Sequence, residues 1–193
     1  MRVFRFLIIY CHFDTNGTVF VYILLQNNSD MSETKDRILG ILRATGRPGI
    51  EAVISYLESS NYFTRGCYSH HKEHGGLAQH SLEVYEHMSA HTGGRFPSDS
   101  IAVAALFHDL GKTRRRDGRG HGRRSLDILD GCGFALTADE RTAIGRHHDR
   151  SIDFVTCPLR RVLSLGDCDS TGRWKRANPH RCGHHHNCVT TSK

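Results

Sequence analysis

The segment Ile101-Ala102-Val103-Ala104-Ala105-Leu106-Phe107 is apolar on every side of a helix, and it runs straight into His108-Asp109. A helix without a polar face belongs at the centre of a bundle, so the chain must wrap other helices around this one. Ionisable groups at the end of such a helix are buried, and an unpaired buried charge is very costly. His108 and Asp109 therefore need partners. Taken alone, the pair is equally well a hydrogen-bonded core histidine beside a helix-end aspartate. Ser98 or Asp99 can cap the start of this helix, and Leu110-Gly111 suits a left-handed cap at its end.

The surrounding sequence supplies the other helices. Ile38, Ile41 and Leu42, then Ile50, Val53, Ile54 and Leu57, recur at helical spacing on either side of the break Gly46-Arg47-Pro48-Gly49. A further helix is expected from Leu77 to about His91, ended by Gly93-Gly94 and Pro97, and a short one from His121 to about Asp130. Thr137 with Glu140 forms a capping box for a helix reaching His148. Pro158 stands at the first turn of the last one, Leu159 to about Ser170. No parallel sheet with a phosphate-binding glycine loop can be drawn through this part, so the expected fold class is all-α.

At 193 residues the chain suits one domain with a substantial core. Residues 31–175 are expected to form it, with a polar helix start at Met31-Ser32-Glu33. Residues 1–30 read as an extension outside the fold, either a short β-hairpin about Asn16-Gly17 or a disordered segment, with Met31 as an alternative start. Residues 176–193 read as a loose His/Cys-rich tail. The apolar run Phe6 to Cys11 is too short to span a bilayer. Seven scattered cysteines make no disulfide or zinc-finger framework, and the simplest expectation is a reduced, cytoplasmic protein with no membrane partner.

The net charge of +6 and the 15 histidines favour anionic ligands and metals without identifying either. Ligand-type residues recur near helix ends or on apolar stripes: His80, His121, His147, His148 and Asp167. Antiparallel helices can bring such residues to one pole of a bundle. The arginines after His108-Asp109, including Arg114 and Arg115, form either a solvated face or a phosphate grip. Aromatics are not interleaved among them, so a nucleic-acid groove is not indicated. His70, His71 and His74 precede His80 and either line a pocket or belong to a polar loop. His87 and His91 lie about 10 and 16 Å along the helix axis from His80 and are not expected to join it.

The ordered series Gly75-Gly76-Leu77-Ala78-Gln79-His80, Phe107-His108-Asp109-Leu110-Gly111-Lys112, Gly120-His121, His147-His148 and Leu165-Gly166-Asp167 resembles the HD-domain phosphohydrolases. The opening string is similar to phage-associated HD hydrolases and to the HD domain of certain exoribonucleases, which carry a histidine pair where His70-His71 stands. The resemblance covers roughly residues 70–172. Gly166 departs from it, since many members have alanine there.

The resemblance implies an HD-domain helical bundle. His80, His108, Asp109 and Asp167 would hold a first divalent metal, Asp109 bridging to a second. His121, His147 and His148 would complete that second site or contact phosphate. Asp109, Lys112 and His121 would be the catalytic residues, and His70, His71, Arg114 and Arg115 weaker substrate contacts. Imidazole and carboxylate ligands suit Mn²⁺, Fe, Co²⁺, Ni²⁺ or Zn²⁺, and the resemblance favours manganese or iron. The implied activity is cleavage of a phosphoester of a nucleotide or related small substrate by metal-activated hydroxide. Lys112 is either a cation for the phosphate or simply a compensation for the helix C-terminus. Two other classes stay open: a nucleotide-sensing or nucleic-acid-associated binding module that keeps the metal site, and a di-iron oxygenase. Oligomeric state is left open.

Overall fold

The computed structural model describes residues 7–13, 19–25, 28–115, 120–149 and 157–177. In chain order these form strands β1 (Leu7–Phe13) and β2 (Val19–Leu25), then α1 (Asn28–Ala44), α2 (Ile50–Ser59), α3 (Gly76–His91) and α4 (Ser98–Phe107). A 3-10 turn (Leu110–Thr113) leads to α5 (His121–Gly131), α6 (Ala138–Arg146) and α7 (Pro158–Ala177). The two strands pair antiparallel, with Leu7 opposite Leu25 and Phe13 opposite Val19. The Asn16-Gly17 turn between them lies outside the described residues, as does the tail from 178 onward. No helix of the described residues is long and apolar enough to cross a membrane.

The all-round apolar helix takes the central place that its composition demands. Every α4 residue from Ser100 to Phe107 is buried. Val103, Leu106 and Phe107 face one apolar cluster with α1, α2 and the start of α3. Ile101, Ala104 and Ala105 face a second with Val84, Met88 and Leu163. Each large side chain so buried contributes about 1.5–3 kcal/mol. Tyr62, buried with them, satisfies its hydroxyl on the Leu106 carbonyl at 2.9 Å. α3 packs between α4 and α7, while α5 and α6 close the other side.

Several boundaries differ from the sequence expectation. α1 begins at Asn28 rather than Met31, α6 ends at Arg146 rather than His148, and α7 continues past Ser170 to Ala177. The cap of α4 is Pro97, not Ser98 or Asp99. Asp99 has another use, accepting from Arg47 at 3.0 Å, and the neighbouring Ser100 donates to Glu140 at 2.7 Å. Arg47, from the break between α1 and α2, also donates to Glu140 at 2.9 Å. Glu140 in turn closes the Thr137 capping box as expected.

Gly111 is not a left-handed cap, since its φ is not positive. Its role is close approach. A Cβ there would overlap the His121 carbonyl and crowd Ser125 of α5, so glycine lets α5 lie directly against the turn that follows His108-Asp109. Ser125 seals this contact, accepting from the Gly111 N–H at 2.8 Å and donating toward the His108 carbonyl at 3.0 Å.

Candidate metal centre

The bundle brings α3, the end of α4, the start of α5, the end of α6 and the middle of α7 to one buried place. His108 Nδ1 lies 2.8 Å from the Ala105 carbonyl, and His147 Nδ1 lies 2.8 Å from that of Ile144. A carbonyl only accepts, so each neutral ring carries its proton on Nδ1 and leaves Nε2 as a lone pair. His80 Nδ1 stands 2.9 Å from Ser170 Oγ, whose hydroxyl donates to Glu83 Oε2 at 2.7 Å. Ser170 can then only accept from His80, and His80 Nε2 is bare as well.

These bare nitrogens converge on two carboxylates. His80 Nε2 is 3.3 Å from His108 Nε2, 3.2 Å from Asp167 Oδ1 and 3.5 Å from Asp109 Oδ2. His108 Nε2 is 3.4 Å from that same Asp109 oxygen. The other oxygen of Asp109, Oδ1, faces away from them, 3.0 Å from His121 Nε2 and 3.9 Å from His147 Nε2. The His121 and His147 Nε2 atoms are 2.9 Å apart. His148, its side chain 60% exposed, holds Nε2 at 3.8 Å from Asp167 Oδ2. Each oxygen of Asp109 thus fronts its own set of histidines, the arrangement of a bridging carboxylate.

The donor set fits divalent cations. Lone pairs facing lone pairs and carboxylates repel one another unless positive charge sits among them. Asp109 Oδ1 is buried beside His121 Nε2 at 3.0 Å, and among the described residues no other group hydrogen-bonds it. Four groups of three, His80-His108-Asp109, His108-His147-Asp167, His121-His147-His148 and His70-His71-His80, have ligand atoms close enough to share an ion.

The electrostatics agree. Burial would raise the carboxyl groups, but the Lys112 ammonium and His108 outweigh it at Asp109, and His80 does so at Asp167, so both are held well below the ordinary range. Burial draws His80 and His147 down, which favours their neutral form. At His108 burial is outweighed by Asp109 and Asp167, which push it up: the carboxylates call for a cation at that nitrogen, whether proton or metal. Lys112 Nζ contacts Asp109 Oδ2 directly, and this contact raises the lysine against its burial.

The profile of the HD domain family matches residues 77–178, more than half of the chain. The chain belongs to the HD-domain family. HD domains are in general metal-dependent phosphohydrolases that bind divalent metals, and the histidines and aspartates gathered here could hold such an ion. No curated protein and no solved structure matches the chain significantly.

Within this HD domain the weaker sequence candidates fall in different places. His70 and His71 are buried against His80, with ring centroids 4.5 and 5.2 Å from it. His74 is exposed. Arg114 and Arg115 are exposed past the 3-10 turn. His87 is apart, bonded to Asp169 at 3.1 Å and stacked on His91. Four residues of the site escaped the sequence reading. Glu83 and Ser170 lie three residues after His80 and Asp167, a spacing that puts them on the same helix faces as those ligands. Arg160 and Ser164 hold the turn that carries His147 and His148: Arg160 bonds the Arg146 and Asp149 carbonyls, and Ser164 donates to the His147 carbonyl at 2.7 Å.

Proposed function

We propose that this HD domain hydrolyses a phosphoester of a nucleotide or related small substrate. The observation that carries this reading is the placement of the two Asp109 oxygens on opposite histidine sets, with a charged lysine on one of them. His80, His108, Asp109 and Asp167 would hold a first cation, and Asp109, His121, His147 and His148 a second, with manganese or iron favoured by the family resemblance. A cation so held polarises a phosphoryl oxygen and makes water acidic enough to attack at neutral pH.

The chain's own residues supply the rest. Lys112 keeps Asp109 ionised and places a positive charge beside the reacting phosphoryl group, where charge stabilisation matters most. His148, exposed and 4.2 Å from His147 between ring centroids, can contact phosphate from the solvent side. A cavity of about 430 Å³ opens onto this side, lined by His121, His147, His148, Gly122 and Arg146 among others. Small-ligand sites span about 300–1,000 Å³, so the opening suits a small phosphoester better than a folded macromolecule. A substrate entering there meets the second histidine set first.

Hydrolysis of p-nitrophenyl phosphate, bis-p-nitrophenyl phosphate and a nucleotide panel with added Mn²⁺, compared between the wild type and Asp109→Ala, tests the reading. Metal-dependent turnover lost in the variant is the expected result, and the preferred substrate names the bond cut. Bound metal with no turnover on any of these would replace the hydrolase reading with that of a metal-holding binding module or an oxygenase.

A further inference from the structure

His70, His71 and His80 offer ring nitrogens within 4.8 Å of one another, which on distance alone is a place for a third ion. Their hydrogen bonds say otherwise. His80 Nδ1 is taken by Ser170 at 2.9 Å. His71 Nε2 points to Glu83 Oε2 at 3.2 Å, and His71 Nδ1 to His70 Nδ1 at 2.9 Å. Two of the three rings are therefore tied, directly or through one hydroxyl, to the same carboxylate oxygen, and the third is tied through His71. Glu83 is fixed from its other side by Gln79, which donates to Oε1 at 3.2 Å.

The backbone is bent to make this possible. His71 has φ 42, the one non-glycine residue with positive φ among those described, a conformation an L-residue adopts at some cost. Gly76 lies directly on it, and a Cβ there would overlap the His71 carbonyl. The His71 carbonyl is also held by the Cys67 N–H at 2.8 Å. The loop is clamped in a strained form that turns the His71 ring between Glu83 and His70.

We propose that Glu83 is the positioning residue of the metal centre, a single carboxylate that sets the tautomer of His80 through Ser170 and of His70 through His71. A carboxylate only accepts. Ser170 must donate to it, so His80 carries its proton on Nδ1 and offers Nε2 to the metal. Neutral His71 must likewise donate from Nε2, so its Nδ1 accepts from His70 Nδ1–H, which leaves the proton of neutral His70 off its Nε2. Outer partners that orient ligating histidines in this way typically account for 10–100-fold in metal affinity. The proposal rests on the metal reading above but does not need the hydrolase reading.

Histidine-labelled protein, stripped of metal, shows the tautomers directly by ¹⁵N NMR, and Zn²⁺ titration of the same samples gives affinity. Wild type is expected to show Nδ1–H and bare Nε2 for both His80 and His70. Ser170→Ala should weaken Zn²⁺ binding 10–100-fold and blur the His80 tautomer alone, while Ser170→Thr, which keeps the hydroxyl, should stay near wild type. Glu83→Gln should disturb both rings. Nε2–H on His80 in the wild type, or unchanged tautomers and affinity in both Ser170→Ala and Glu83→Gln, would overturn the proposal. Correct tautomers in a protein that binds no Zn²⁺ would leave the relay standing and remove the metal reading instead. Ser170→Ala deletes only one oxygen, so it answers the question even where Glu83→Gln fails to fold.

Discussion

Asp109 and Lys112 form the most consequential pair of residues. The lysine sits three positions after the aspartate, across the 3-10 turn, and its ammonium meets the oxygen that faces His80 and His108. Both groups are largely buried, and removing one partner of a buried pair typically costs 3–5 kcal/mol because the other charge is stranded. Lys112→Ala should therefore destabilise the metal-free protein by about 3 kcal/mol, and much less when Mn²⁺ is bound and takes over the compensation. Urea unfolding with and without Mn²⁺ measures this, and an equal loss in both states would show that Lys112 does not share Asp109 with a cation. Turnover in the same variant should fall by about 10²-fold or more with metal content retained, as for a lost donor of charge stabilisation.

At the scale of elements, the sequence showed which helices exist better than how they meet. The unbroken apolar face of α4 and the Thr137-Glu140 box of α6 are local signals, and both were legible. The series from His80 to Asp167 was legible as a set that one pole of a bundle can gather, because each of its residues sits near a helix end or on an apolar stripe, and the fold does bring them together. Arg47 was not legible, being one basic residue in a glycine-proline break whose partners come from α4 and α6. Nor were Glu83 and Ser170, which read as the polar face of an ordinary helix until α3 and α7 are laid together. Gly111 looks like a helix cap in the sequence because its close approach to α5 depends on a helix with no signature near it in the chain.

The Arg47–Glu140 contact has a pH signature. Burial alone would raise the Glu140 carboxyl, but hydrogen bonds from Arg47, Ser100 and the Thr137 N–H outweigh it and hold it below its ordinary value of 4.5. A carboxylate depressed in the folded state contributes stability that is fully present above that value and lost as pH falls through the folded one. Glu140→Gln should cost about 1–3 kcal/mol at pH 7. The gap to wild type should narrow as pH drops below 4.5, where wild type also protonates. Denaturant midpoints across that range would show it; a gap independent of pH would mean that Glu140 acts through packing rather than charge.

For the whole molecule, the cluster of histidines and aspartates draws together elements that are otherwise far apart in the chain, from α3 to α7. A ligand that binds only the folded state adds stability by mass action, about 2.7 kcal/mol at one hundred times its dissociation constant. Mn²⁺ should therefore raise the midpoint of thermal unfolding, chelator should lower it, and Asp109→Asn should abolish the difference. Net charge +6 points the same way as the site, toward anionic substrates.

All of this turns on whether a cation binds between His80, His108, Asp109 and Asp167. Anomalous X-ray scattering from crystals grown with Zn²⁺ tests it most directly. The expected result is a peak about 2.0–2.2 Å from the His80 and His108 Nε2 atoms and an Asp109 oxygen, with any second peak on the Asp109 oxygen facing His121. Zinc bound elsewhere with no peak among these four residues would contradict it.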